Sequence, residues 1–195
     1  MRVLLVLAHP ATNSLCRFFA ETATAAAEAR GFEVRVVDLY ARGFDPRLSA
    51  AERAVYYDPH YRSDVPDLLA DLVWAEALVL VFPTWWFGFP AVLKGWFDRV
   101  FAPGTAYDHA EGLRAIRPRL LGLRRALAVT TLGSPWWVDT FVLRRPVRRV
   151  LATAILGTCA PNCRLRFLSL HDAEKARPKT IAAVARRITE AIAAW

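Results

Sequence analysis

Two tryptophans and two phenylalanines crowd the segment PTWWFGFP at positions 83–90, directly after the apolar run ALVLVF. A loop leaving the end of a buried strand belongs at the surface and is ordinarily polar. Exposed aromatic area costs solubility, so Trp85, Trp86 and Phe87 point either to a partner surface, which a planar ring would suit, or to a gap filled between this loop and the next helix. Gly88 and Pro90 shape the turn so that backbone amides can face such a ring. Two other segments also suit ligand-facing loops. AHPATNS (8–14) sets Thr12, Asn13 and Ser14 at a helix start, where hydroxyls and free N–H groups meet the positive end of the helix dipole and can hold a phosphate. The same three residues are also common N-caps, and His9 equally suits a satisfied histidine at a strand end. This loop lacks the glycine pattern of dinucleotide domains and of nucleoside-triphosphate loops. The third segment, TTLGSPWW (130–137), supplies Thr130, Thr131 and Gly133, which are small and offer hydroxyl and backbone donors.

The elements that must position these loops follow from periodicity. RVLLVLA (2–8), ALVLVFP (77–83) and RRALAVTTLG (124–133) read as strands, the first as one buried on both faces. FEVRVVDL (32–39) alternates and is β-branched, and RLRFLSL (164–170) is a fifth strand. Between the first two lies an alanine-rich helix running from the caps at 12–14 to Gly31. Residues 40–66 form a polar excursion with a short helix from about Ser49. PDLLADLVWAEA is amphipathic, Pro90 stands at a natural first helical position, and KTIAAVARRITEAIAAW closes the chain as a helix. Strands alternating with helices predict an α/β, doubly wound, five-stranded parallel sheet with helices on both faces, in which ligands bind beyond the carboxyl ends of the strands.

Composition narrows the class. The 195 residues suit one domain over the whole chain, and a hydrophobic fraction of 55% with 23% charged residues is that of an ordinary globular protein. No apolar stretch reaches the roughly 20 residues of a transmembrane helix. VLLVLA after Arg2 reads as a core strand and not as a signal peptide, so a cytoplasmic protein is expected. Three cysteines, Cys16, Cys159 and Cys163, are an odd number and read as free thiols; CAPNC lacks the companion histidines of a zinc site. The formal charge of +8 comes almost wholly from arginine. The arginines are dispersed, so no nucleic-acid partner is expected. LRRPVRRV (143–150), the one dense cluster, has the spacing of a helix with one solvated face, with a nucleotide phosphate as the sharper alternative.

Taken together, LVLAHP with Ser14, DLYARGFDPRLS, FPTWWFGFPAVLKGWFDRVF, AY (106–107), GL (112–113) and VTTLG resemble the flavodoxin-like NAD(P)H:quinone oxidoreductases of the DT-diaphorase type. The similarity runs over most of residues 2–133 and fades beyond. It implies a dimer that binds FAD, or FMN in shorter relatives, and passes two electrons as hydride from NAD(P)H to a quinone in a ping-pong cycle. It places His9, Ser14, Leu15 and Cys16 around the flavin phosphates and ribityl chain, Cys16 standing where asparagine is common. Pro83, Thr84, Trp85, Trp86 and Phe87 would line the isoalloxazine, with the Trp86 and Phe87 amides at its N5 and O4 edge. Thr130, Thr131, Leu132 and Gly133 would hold the pyrimidine end, and Tyr107 would line the substrate pocket from the partner subunit.

The chain departs from the family pattern twice. Leu132 replaces a glycine of T-T-G-G, and nothing from Ser134 to Leu170 is the tyrosine or histidine that balances charge on the reduced flavin. Trp136 and Trp137 stand there instead, either roofing the acceptor face or anchoring a dimer interface. Besides the reductase, two readings stay open: a flavin-binding regulatory subunit of a membrane transport system, and a scaffold without cofactor that binds a protein through its tryptophans.

Overall fold

In the computed structural model of the protein, which describes residues 1–56, 58, 63–109 and 116–195, five strands form one parallel sheet in the order β2-β1-β3-β6-β7. They are β1 (Arg2–Leu7), β2 (Glu33–Asp38), β3 (Ala77–Pro83), β6 (Arg125–Thr131) and β7 (Arg164–Leu170). A two-residue antiparallel pair, β4 (Tyr107–Asp108) and β5 (Arg117–Pro118), stands apart. The order runs one way from β1 to β2 and the other way from β1 through β3, β6 and β7, so the chain reverses direction beside β1. That reversal opens a crevice at the carboxyl ends of the central strands.

The continuous apolar runs have a simple cause. Every residue of β3 is buried, because both sheet faces are covered. Leu4, Val6, Leu78, Leu80 and Phe82 point to one side, under α3 (Pro66–Trp74) and α4 (Ala91–Val100), where Trp96 is fully enclosed. Val3, Leu5, Leu7, Val79 and Val81 point to the other, with Phe19 of α1 (Leu15–Glu28) and Ile188 of α7 (Pro178–Ala193). Ser14 caps α1, its hydroxyl accepting from the Arg17 N–H, and Gly31 follows the helix with a φ of 71°. No helix among the described residues is long and apolar enough to cross a membrane.

The polar excursion carries α2 (Ala50–Val55), opened by a reciprocal cap between Ser49 and Glu52. It is fastened to α4 by a buried ion pair, Arg99 Nη2 donating to Glu52 Oε1 at 3.0 Å, while Arg99 Nη1 donates to the Asp45 carbonyl at 2.7 Å. Burial pushes the Glu52 carboxyl up, but the Ser49 N–H, the Arg99 guanidinium and the Asp64 N–H together outweigh it and hold the group below the ordinary carboxylate range. Gly95 of α4 permits this contact, since a Cβ there would run into the backbone of Pro46.

Two local expectations need correction. Pro90 is the N-cap of α4 and not its first helical residue: its ψ of 146° is extended, and the helix begins at Ala91. LRRPVRRV is not one helix. Pro146 disfavours helical backbone at the residue before it, and Arg144 and Arg145 both turn left-handed, with φ of 56° and 50°. A new helical run then starts as α5 (Pro146–Arg149), widens into π-type turns over Val150–Leu156 and ends as α6 (Gly157–Cys159). Gly112 and Leu113 of the family pattern lie outside the described residues.

Candidate active site

Strand register brings the three loops to one edge. Leu7 is level with Val81, and Pro83 with Thr131, so the segments after β1, β3 and β6 emerge side by side. The Ala8 N–H donates to the Val81 carbonyl at 2.9 Å, and the Thr84 N–H to the Thr131 carbonyl at 2.7 Å. The Thr84 and Thr130 hydroxyls meet at 2.7 Å, which joins the second loop to the third at its base.

The aromatic loop is a tight turn. Trp85 and Gly88 exchange backbone hydrogen bonds at 3.3 and 2.9 Å, and the two residues between them, Trp86 and Phe87, have φ of 49° and 54°. Two successive positive φ values are those of a type I′ turn, which ordinarily selects Asn-Gly. Bulky L-residues in that conformation carry steric strain. The turn's own hydrogen bonds leave the two intervening N–H groups unused. Neither the Trp86 nor the Phe87 N–H has an acceptor among the described residues. The Trp86 side chain is 100% exposed, so none of the described residues covers its ring.

A cavity of about 180 Å³ lies in front of this turn, lined by Thr84, Trp86, Phe87, Leu132, Gly133 and Ser134. Ser134 adds a hydroxyl that the sequence had not singled out. Its Oγ is buried and has no partner among the described residues. Behind the turn, the Leu132 N–H donates to the Leu170 carbonyl at 3.0 Å and the Ala173 N–H to the Leu132 carbonyl at 3.0 Å. Leu132, which replaces the family's glycine, is thus a buried residue held by backbone bonds to the segment after β7.

The other candidate residues are placed differently. His9 is half-buried, and its Nδ1 lies 3.0 Å from the Ala11 N–H and 3.3 Å from the Ala11 carbonyl, so the ring is fixed against the backbone of its own loop. Ser14 and Leu15 open α1 at the same sheet edge, and Pro83 is buried at the end of β3. Cys16 is buried, its sulfur 3.5 Å from the Thr131 hydroxyl, so it ties α1 to the third loop from beneath. Burial pushes its thiol up to about 11, against a smaller downward pull from that hydroxyl, leaving it uncharged at neutral pH. Thr130 and Thr131 are buried, Gly133 and Trp136 are exposed, and Trp85 is 43% exposed. Tyr107 does not reach the Trp86 cavity in this chain; it lines a second one of about 340 Å³ with Phe89, Phe97, Phe101 and Cys159.

A histidine absent from residues 134–170 stands one position beyond them. His171 Nε2 donates to Asp139 Oδ2 at 3.3 Å, and Asp139 is buried. With the Asp172 N–H on the Ser134 carbonyl at 3.2 Å, this pair clamps the third loop from both sides. Only the tertiary fold brings residues 139 and 171 together, so no spacing signal could have found the pair.

A family model described as flavodoxin-like fold matches residues 1–192. An uncharacterized NAD(P)H oxidoreductase of Escherichia coli is 36% identical over 124 residues, 63% of this chain and 63% of the relative. NAD(P)H dehydrogenase (quinone) 1 of Cavia porcellus is 38% identical over 128 residues, 56% of this chain and 46% of the relative. The chain therefore spans only about half to three fifths of the length of these curated relatives. Among solved structures, an NAD(P)H:quinone oxidoreductase from Methanothermobacter marburgensis superposes with a TM-score of 0.83 at 25% identity, covering 98% of this chain and 94% of that one. With a model match over nearly its whole length and a strand order to go with it, the chain belongs to the flavodoxin-like-fold family, and its named relatives there are NAD(P)H oxidoreductases and quinone reductases.

Proposed function

We propose that this chain is a flavin-dependent NAD(P)H dehydrogenase that passes two electrons, as hydride, to a quinone or similar flat aromatic acceptor in a ping-pong cycle, acting as a cytoplasmic homodimer. The observation that carries the reading is the strained turn at 85–88, which displays an exposed indole and two N–H groups without acceptors among the described residues beside a cavity of about 180 Å³. A flat heteroaromatic ring with acceptor atoms at its edge fits that set of groups. The flavin, FMN or FAD, supplies the hydride chemistry when bound.

The chain's own residues hold and orient. Trp86 and Phe87 would pack one side of the ring and donate to its edge, while Thr84, Leu132, Gly133 and Ser134 would form the opposing wall, supported from beneath by Thr130 and Thr131. His9, Ser14 and Leu15 lie at the edge suited to the phosphates and ribityl chain, with the α1 N-terminus behind them. Cys16 supports Thr131 and, as a neutral thiol, is not a nucleophile. On this reading NAD(P)H and then the acceptor would take turns at the ring's open face, with Trp136 and Tyr107 of a second copy bordering it. The pair of His171 and Asp139 keeps the 132–134 donors in place.

The test is optical. Purified protein should be yellow, bleach with NADPH and regain its colour on adding benzoquinone, and the mass of the released cofactor identifies the flavin. A colourless protein that gains no flavin-band absorbance with FMN or FAD would overturn the reading; a holoprotein without NAD(P)H-dependent turnover would favour the regulatory alternative.

A further inference from the structure

The chain that follows β7 docks on the third loop through its backbone. The Leu132 N–H donates to the Leu170 carbonyl at 3.0 Å, the Asp172 N–H to the Ser134 carbonyl at 3.2 Å and the Ala173 N–H to the Leu132 carbonyl at 3.0 Å. Asp172 turns left-handed, with a φ of 48°, and Ala173–Lys175 make a single 3-10 turn in which the Lys175 N–H donates to the Asp172 carbonyl at 2.9 Å. These bonds fix the main chain of residues 170–175 and with it the root of the Glu174 side chain. Glu174 Oε1 lies 3.5 Å from the point where a side chain on Gly133 would begin. The carboxylate therefore neighbours a residue that lines the Trp86 cavity. None of the six residues lining that cavity is charged, and among the described residues Glu174 has no ion pair or hydrogen bond of its own. His171, three positions before it, already donates Nε2 to Asp139.

We propose that Glu174 sets the reducing power of the site: its carboxylate, acting across Gly133, disfavours negative charge in the Trp86 cavity and so lowers the potential at which a flavin held there accepts electrons. The inference rests on the proposed function. A hydride from NAD(P)H carries two electrons and one proton, so NAD(P)+ leaves and the neutral oxidised ring gains one negative charge. Passing the hydride to a quinone, with one proton from solvent, gives the quinol and returns the ring to neutrality. A fixed anion beside the cavity opposes the first transfer and favours the second. Glu174 thereby suits the site to weak oxidants, acceptors that a ring of higher potential would leave unreduced. The plain alternative is a solvated carboxylate on a surface turn, which leaves the potential where it is.

The experiment is the midpoint potential of the flavin bound to the full chain, read from its absorbance as it equilibrates anaerobically with a reference dye. Glu174→Gln should raise the preference for reduced over oxidised flavin about tenfold, which is about 30 mV for a two-electron couple, and Glu174→Lys about a hundredfold, about 60 mV. Glu174→Asp, which keeps the charge, should stay closer to the parent than Glu174→Gln does. Because Glu174 is exposed, the separation between parent and Glu174→Gln should shrink in about 1 M salt. All three variants should melt with the parent. Equal potentials in the parent and in the Gln and Lys variants would overturn the inference, and a second copy that neutralised Glu174 with a cation of its own would show itself in that way. An Asp variant that shifts as far as the Gln variant would also overturn it, since the cause would then be packing and not charge. Protein that binds no flavin would strike the proposed function and this inference together, whereas flavin bound and turned over at an unmoved potential would strike the inference alone.

Discussion

Replacing Trp86 with glycine should leave the flavin-free protein at least as stable as the parent while weakening its hold on flavin. The ring is fully exposed, so its removal forfeits no burial. The backbone stands at a φ of 49°, where an L-residue costs about 1–2 kcal/mol. Glycine removes that cost and gives back about 0.5–1 kcal/mol through its freedom in the unfolded chain. The balance is a stabilisation between zero and about 1.5 kcal/mol, and at about 2–4 °C per kcal/mol for a chain of this size the melting temperature rises by up to about 6 °C. Trp86→Ala is the control. It also removes the ring but keeps the Cβ and therefore the strain, so its melting temperature should stay near the parent's, within about 0.5 kcal/mol. Both variants lose the aromatic contact to the flavin, about 0.5–1.5 kcal/mol or roughly a threefold to tenfold weaker Kd. Thermal melts of flavin-stripped protein and fluorescence titration with FMN and FAD measure the two quantities. A glycine variant that melts several degrees below the alanine variant would refute the strain, and unchanged flavin affinity in both would show that Trp86 is not the ring's support.

Glu52 makes stability pH-dependent. Its folded pKa lies below the unfolded value, so its contribution is complete above about pH 4.3 and is lost as pH falls through the folded value; the urea midpoint should drop on acidification, and less so in Glu52→Gln. Arg99→Met should cost about 3–5 kcal/mol at neutral pH by leaving the Glu52 carboxylate buried without its partner, measured by urea denaturation. Gly95→Ala should destabilise by about 1–3 kcal/mol, because its methyl group forces the 45–49 backbone off α4; a melt within one degree of the parent would show that Pro46 yields freely. Burial pushes the Cys159 thiol up to about 11 and that of Cys163 to about 12, as it does Cys16 to about 11, so native protein at pH 8 should react only slowly with a disulfide reagent and release three equivalents in denaturant. Asp139→Asn should loosen the 132–134 turn and raise the flavin Kd more than it lowers the melting temperature.

The central strands were legible because they are buried on both faces: ALVLVFP coincides with β3, since a strand with no solvent side must be apolar throughout and turn residues bound it. RLRFLSL coincides with β7, an edge strand whose Arg164 and Arg166 alternate outward to solvent. Of the three cap candidates at 12–14, Ser14 is the N-cap of α1, and the short helix read from about Ser49 has Ser49 as its N-cap, with Glu52 three residues on completing a capping box. The stretch from Ser134 to Cys163 was much less legible. Its π-type turns have no 3.6-residue period, and Arg144 and Arg145 take a conformation that arginine does not ordinarily prefer. β4 and β5, two residues each, are too short to leave a periodic pattern of their own.

The site itself was legible by composition and not by conformation. Trp85, Trp86 and Phe87 announce an unusual loop, but nothing in their identities specifies positive φ; the geometry calls for Asn-Gly and the chain supplies Trp-Phe. Local preference and observed backbone disagree at two consecutive residues, while β3 before the turn and α4 after it conform to every local rule. Such a disagreement persists only where surrounding structure overrides it, and here the overriding structure is the pair of hydrogen bonds between Trp85 and Gly88, anchored to β6 through Thr84. A turn needed only to link β3 to α4 would have no reason to keep two large aromatics in strain and one of them bare to solvent. The conflict is explained if the energy is recovered when a flat ligand covers Trp86 and takes the two free N–H groups, which is why strain, exposure and unsatisfied donors all fall on the same two residues.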